Sequence, residues 1–461
     1  MDNFKKTTAE NKMGTMPVNK LIINMSLPMI TSMFIQALYN IVDSYFVAKI
    51  GEDALTAVSL SFPLQNMMIA AGIGTGIGLN ALLSRYLGAK NGKGITKIAE
   101  NGIFLGVLNS IVFLIFGIFF TKAFFSFQTE SEIIAKYGTQ YLSLCSVFAF
   151  SIIMEITFER MLQATGKTFF TMITQSTGAI INIIMDPILI FGLFGFPKMG
   201  ISGAATATVF GQSTAMLLAL YFNLTKNKEI TFKFRNFKPD FSSIINIYKI
   251  GFPSIIMMTA ASFLIFQLNK ILLAFSSTAT AVLGIYFKIQ GLVFMPVFGL
   301  NNAVISIVSY NYGAGNIKRL IRTVKLSIAY AMGIMFAGII ICQVFPVQIL
   351  KIFDASDEMI KIGVKALRTI SLCFILAAYS FVLSSVFQAL GRGMLSLAVS
   401  LVRQIVFTLP LAFIFSKIWG LDGIWWAFPI AEIFSGILTT IFLKNVYKNN
   451  IIKRIRKNSL K

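Results

Sequence analysis

The chain alternates between long apolar stretches and short polar breaks along its whole length. Uninterrupted apolar runs of about eighteen residues or more are long enough to cross hydrocarbon as α-helices. Twelve such runs stand out, at roughly 21–48, 54–83, 98–121, 133–157, 168–191, 199–222, 244–269, 279–307, 324–349, 360–385, 394–416 and 420–443. The pattern predicts an all-α integral membrane protein of twelve transmembrane helices. A polar segment, 1–20, precedes the first run and a basic segment, 444–461, follows the last.

The pattern also repeats. A shift of 225 residues carries Pro28 onto Pro253, Ala54 onto Ala279, Ser84 onto Ser309 and Gly88-Ala89 onto Gly313-Ala314. The same shift carries "QATGK" (163–167) onto "QALGR" (388–392). Each half holds six runs, an even number, so both enter the membrane in the same sense. This predicts two six-helix lobes, 21–222 and 244–443, joined by a linker at 223–243. A pseudo-twofold axis along the membrane normal relates them, an architecture suited to alternating access.

Composition agrees with the membrane reading: 56% of the 461 residues are hydrophobic and only 13% charged. The 40 Lys and Arg give a net charge of +22. Most of them fall at 5–20, 85–97, 160–167, 226–249, 318–325, 392 and 444–461, all on one side of a twelve-span chain. By the positive-inside rule that side is cytoplasmic, which places both termini there, in a multi-pass protein of the cell membrane in contact with anionic lipid. Basic residues dispersed over loops argue against nucleic acid as a partner. Cys145, Cys342 and Cys373 are isolated within apolar runs and read as small hydrophobes. Histidine is absent, which removes His-based catalysis, and no metal-ligand set or nucleophile–base pair points to an enzyme or a cofactor.

Against this background, acids inside the runs are conspicuous. A carboxylate in hydrocarbon costs at least a few kcal/mol and needs a partner, a cavity or a function. Asp43 sits in "ALYNIVDSYFVAKIG" and Asp186 in "NIIMDPILIFG". The repeat places Leu268 opposite Asp43, and aligning Pro187 with Pro410 places Leu409 opposite Asp186, so this chemistry belongs to the N lobe. Both acids lie about 8–9 Å from the outer ends of their runs at 1.5 Å per residue. Asn182 shares the face of Asp186 one turn deeper, and Tyr39 and Asn40 share that of Asp43. Thr208 enters the sixth run at comparable depth. Pro187 leaves the Ile183 carbonyl without its usual donor. Oxygens of this kind at one level suit protons or a hard cation such as Na⁺.

Other charged or glycine-rich stretches carry less specific signals. "AGIGTGIGLN" lacks the Lys-Ser/Thr and the strand–helix context of a phosphate loop, and its glycines suit close helix packing. Glu155 and Glu159, near the cytoplasmic end of the fourth run, read as gate or cavity charges, as do Lys288 and Arg403 inside runs of the C lobe.

Taken together, "ALYNIVDSYFVAKIG", "SRYLGAK", "ERMLQATGKT", "NIIMDPILIFG", "GISGAATATV" and "SYNYGAGN" resemble the multidrug and toxic compound extrusion (MATE) transporters over essentially the whole chain. The resemblance implies antiport of amphipathic organic cations against Na⁺ or H⁺, with no cofactor. It implies a cation site of Asp43, Asn182, Asp186 and Thr208, which would be the metal ligands if the ion is Na⁺, and a helix 1 that bends near Pro28. Helices 7 and 10 carry no acid here, which resembles the branch of the family without acidic residues in the C lobe. A monomer is expected. The rival reading is a lipid-linked saccharide flippase of the same superfamily, which would place basic residues in its central cavity; Lys288 and Arg403 are the residues that could serve it.

Overall fold

The computed structural model describes residues 10–233, 235 and 237–448. Among them all regular structure is helical. Ten helices are long and apolar enough to span a bilayer, and two bent pairs bring the number to twelve if each pair counts as one span. In chain order these are α1 (Val18–Ala48), α2 (Glu52–Gly88), α3 (Gly92–Phe119), α4 (Glu132–Val147 with Ala149–Ala164), α5 (Thr168–Phe191) and α6 (Ile201–Thr225). The second half follows with α7 (Phe241–Leu273), α8 (Ser277–Gly313), α9 (Ile317–Val344), α10 (Asp357–Ser371 with Phe374–Ala389), α11 (Gly393–Ile418) and α12 (Gly420–Val446).

The halves repeat down to their irregularities. α4 bends by 44° at Phe148 and α10 by 50° at Leu372-Cys373, positions that the 225-residue shift superposes. Short helices Thr121–Gln128 and Pro346–Ile352 precede α4 and α10. Ser84 donates to the Ala164 carbonyl at 3.0 Å, and Ser309 donates to the Ala389 carbonyl at the same distance. A hydroxyl aimed at the carbonyl left over at a helix end satisfies it without water.

At two crossings the lobes meet backbone to backbone. A Cβ on Gly88 would lie 2.0 Å from the Tyr310 carbonyl oxygen, and one on Gly313 would lie 2.0 Å from that of Arg85. Arg85 and Tyr310 are themselves repeat partners, so α2 and α8 cross symmetrically at their C-terminal ends. Towards the middle of α2, Gly251 on α7 would clash with the Gly74 oxygen at 2.1 Å. Between these contacts Ser306 donates to Asn80 across the lobes at 3.0 Å.

Two departures from the sequence reading concern the ends of the lobes. The segment expected as a polar tail, 1–20, is packed in its described portion. Met13 is fully buried, its carbonyl accepting from Asn311 and Arg319 of the C lobe, while Asn11 donates to Thr165 of the N lobe and to Glu229 of the linker. α6 runs on to Thr225 and α7 starts at Phe241, so the linker is shorter than expected. It is strapped to α3: Asp240 pairs with Lys97 at 3.0 Å and caps α7 through the Ser243 N–H at 2.8 Å. The part of the basic segment after Lys448 lies outside the described residues.

Gly88→Ala and Gly313→Ala are each expected to lower the melting temperature of detergent-purified protein, because either Cβ forces the crossing apart. The double variant is expected to lose less than the sum of the two, since both act on one contact. Met13→Ala is expected to cost about 2–5 kcal/mol, the range for truncating a buried long apolar side chain, measured by thermal unfolding under the same conditions.

Candidate cation site and cavity of the N lobe

Three helices build the site, and small residues determine how close they come. A Cβ on Gly211 of α6 would lie 2.6 Å from the Gly178 oxygen of α5, and one on Gly203 would lie 2.5 Å from the Leu189 oxygen. α5 and α6 are thus in backbone contact above and below one stretch, and Asn182 and Thr208 face each other within it. Asn182 Nδ2 donates to Thr208 Oγ1 at 3.3 Å. α1 brings Asp43 beside Asp186 and Tyr39 beside Thr208.

All four principal residues are buried: Asp186 is 0% exposed, Asn182 2%, Thr208 5% and Asp43 9%. Among the described residues four of their oxygens have no hydrogen-bond donor: Asp43 Oδ1, Asn182 Oδ1 and both carboxyl oxygens of Asp186. A buried acceptor without a donor carries its full desolvation cost, and here four converge, two of them on one carboxyl group. A proton shared between the aspartates or a hard cation among the oxygens relieves that cost, so the residues present fit either ion.

Below this cluster lies a cavity of about 160 Å³, reached by Tyr39, Asn182 and Thr208 at one end and by Glu155, Glu159 and Arg160 at the other. Glu159 is held by Thr174 and Gln175, each donating at 2.7 Å. Arg160 does not form an ion pair with it. Arg160 instead donates to Gln163 at 3.1 Å and to Asn302 of α8 at 2.8 Å, a link from one lobe to the other. Glu155 and Glu159 therefore both line the cavity, whereas Asp43 and Asp186 stand just beyond its wall.

Asn40, expected beside Asp43, is exposed and points away, because a three-residue offset turns it off the face that Tyr39 keeps. Pro28 lies within an unbroken α1, its carbonyl accepting from Ser32 at 3.0 Å. Lys288 is exposed and stacks over Phe353, away from any cavity lined by Arg403. Arg403 faces Glu432 of α12 at 3.6 Å. α7 carries no acid and α10 only the exposed Asp357 and Glu358 of its first turn, but α12 brings a buried acid into the C lobe. A repeat offset of 220 residues, which aligns Gly200 with Gly420, places Glu432 opposite Gln212 of the N-lobe cavity; that offset was the available signal. Also passed over were Gln36, Gln175 and Asn302, which line the cavity as uncharged residues.

Two six-helix lobes of membrane-spanning length, with buried acids beside a cavity in one of them, define a polytopic membrane transporter rather than an enzyme. The MatE family model matches residues 28–188 and, separately, 253–414, two stretches whose starts differ by the repeat shift. The chain belongs to the MatE family. It is 25% identical to the multidrug export protein MepA of Staphylococcus haemolyticus (strain JCSC1435) over 414 residues, covering 90% of each chain. With MepA of Staphylococcus aureus (strain MSSA476) it shares 27% over 423 residues, 90% of this chain and 91% of that one. Among solved structures, a multidrug resistance MATE family transporter of the MOP superfamily in its outward-facing conformation superposes with a TM-score of 0.90 at 25% identity, over 96% of this chain and 100% of that one. A MATE in the straight conformation gives 0.89 at 26% identity with the same coverage.

Gly211→Ala tests the α5–α6 approach on which the site depends. The added methyl overlaps the Gly178 oxygen, so the variant is expected to lose about 1–3 kcal/mol, the usual cost of overpacking, read as a lower melting temperature.

Proposed function

We propose that the protein is a multidrug exporter that exchanges amphipathic, mainly cationic compounds for H⁺ or Na⁺ at Asp43, Asp186, Asn182 and Thr208. The observation that carries this reading is the set of four unpartnered acceptor oxygens beside a cavity that itself holds Glu155 and Glu159. Uptake of an ion neutralises the aspartates and removes the attraction for a cation in the adjoining cavity. Release of the ion restores that attraction. α1 carries both Asp43 and Tyr39, so a change in the ion cluster reaches the cavity wall through one helix, with Pro28 as the place where that helix bends most easily. The names of the MepA relatives support the substrate class. The charge pattern supports a cell-membrane orientation with both termini cytoplasmic.

The flippase reading has two cations in cavities: Arg160, which donates to Gln163 and Asn302 beside Glu159, and Arg403, which faces Glu432. Lys288, the other residue that could serve it, is exposed. The exporter reading is therefore preferred.

Proteoliposomes holding the wild-type protein are expected to export ethidium when a pH or Na⁺ gradient is imposed, and the gradient that drives export identifies the ion. Asp186→Asn is expected to abolish driven export while folding normally, because the amide fills the same space without a charge to cycle. Undiminished export would refute a coupling role for Asp186. Asp43→Asn is expected to be inactive, and adding Leu268→Asp is expected not to rescue it, since Leu268 packs in an apolar core without the neighbouring oxygens. Recovery in the double variant would show the lobes to be chemically interchangeable.

A further inference from the structure

The C lobe contains a cavity of its own, about 220 Å³, and its lining differs in kind from that of the N lobe. Its wall on α11 is a π-helical segment, Val402–Thr408, where the repeat-related α5 is regular α-helix. Insertions of this type widen a helix and recur at functional sites. Both Arg403 and Gln404 line the cavity here, and Thr408 Oγ1 bonds back to the Arg403 carbonyl at 2.7 Å.

The polar groups are incompletely matched. Arg403 Nη1 stands 3.6 Å from Glu432 Oε2, beyond hydrogen-bonding distance. The guanidinium lies over the Phe381 ring at 4.5 Å, and no hydrogen bond of its side chain is found among the described residues. Glu432 Oε1 and Gln404 Oε1, on residues 4% and 7% exposed, are buried acceptors without donors. The cavity thus offers unused N–H donors on one side and unused acceptors on the other, with a net charge of zero. Phe294 and Phe381 meet edge to face at 5.6 Å and Tyr286 and Phe428 at 5.8 Å, completing an aromatic surround.

We propose that this C-lobe cavity is a second binding site, for compact aromatic zwitterions whose carboxylate accepts from Arg403 and whose ammonium donates to Glu432 Oε1 and Gln404 Oε1. The electrostatics select the class. In a low-dielectric interior a ligand with net charge would leave the Arg403–Glu432 pair uncompensated on one side, whereas a zwitterion completes both ends and adds no net charge. The aromatic surround accepts a flat ring. Binding at this site requires no ion gradient, so it stands apart from the export reading of the N lobe.

A matched fluorescent series on the full-length protein in detergent tests it: Nε-dansyl-lysine, which is zwitterionic, dansylcadaverine, which lacks the carboxylate, and 6-(dansylamino)hexanoate, which lacks the ammonium. The wild type is expected to bind dansyl-lysine about tenfold or more tightly than 6-(dansylamino)hexanoate, the range for a charge-assisted hydrogen bond, and equimolar dansylcadaverine, an amphipathic cation suited to the N-lobe cavity, is expected not to displace it. Arg403→Met and Glu432→Gln are each expected to weaken dansyl-lysine binding by about tenfold or more and to leave dansylcadaverine binding unchanged. Equal affinity for dansyl-lysine and 6-(dansylamino)hexanoate, displacement of dansyl-lysine by equimolar dansylcadaverine, or retention of tight dansyl-lysine binding in both C-lobe variants would overturn the proposal. The wild-type series decides the question even where a C-lobe variant fails to fold.

Discussion

The crossing of α2 and α8 at Gly88 and Gly313 is the contact on which the rest of the molecule depends. Each glycine lies where any side chain would overlap a carbonyl of the opposite lobe, so the two helices touch backbone to backbone. A membrane interior offers little hydrophobic drive for helices to associate, and close packing of small residues has to supply it. Held at this end, the lobes enclose polar side chains that could not face lipid. Asn80 with Ser306, Arg160 with Asn302 and the buried carbonyl of Met13 all find partners in the opposite lobe. Remove the crossing and those groups lose their acceptors and donors together.

Within each lobe the electrostatic solution is different. The N lobe gathers acids: Asp43 and Asp186 leave their oxygens without donors, and Glu155 and Glu159 line the cavity beneath them. The C lobe pairs its acid, Glu432, with Arg403 and surrounds the two with aromatic rings. The common scaffold thus carries divergent charges: acids in excess beside one cavity, and an acid with a base beside the other.

The architecture was legible in the sequence because its cause is legible there: a span needs about twenty apolar residues, and the 225-residue shift shows itself in Pro, Gly and Ser positions. Asp43, Asn182, Asp186 and Thr208 could be singled out by depth and by the absence of counterparts, and the fold brings these four together. Asn40 was misjudged since a three-residue spacing only approximates a shared face. Glu432 was passed over because its helix follows a different offset from the rest of the repeat, and its counterpart is an unremarkable Gln212. The packing of residues 11–16 between the lobes could not be read at all. A short polar segment with two methionines has no periodicity, and only the gap left by the two lobes gives Met13 somewhere to go.

The glycine crossing also bears on how such a chain could have arisen. Its two contacts are the same contact made twice: Gly88 against residue 310, and Gly313 against residue 85, the repeat partner of 310. A surface that complements itself across a twofold axis is what two separate copies of one six-helix chain need in order to dimerise. In such a dimer every substitution would appear in both copies, so an aspartate pair could not be kept on one side alone. Joining the copies through the linker frees each half to mutate independently while the shared crossing stays as it was. A single chain can therefore hold buried aspartates in one half and leucines at the matching positions of the other, which no dimer of identical copies can do.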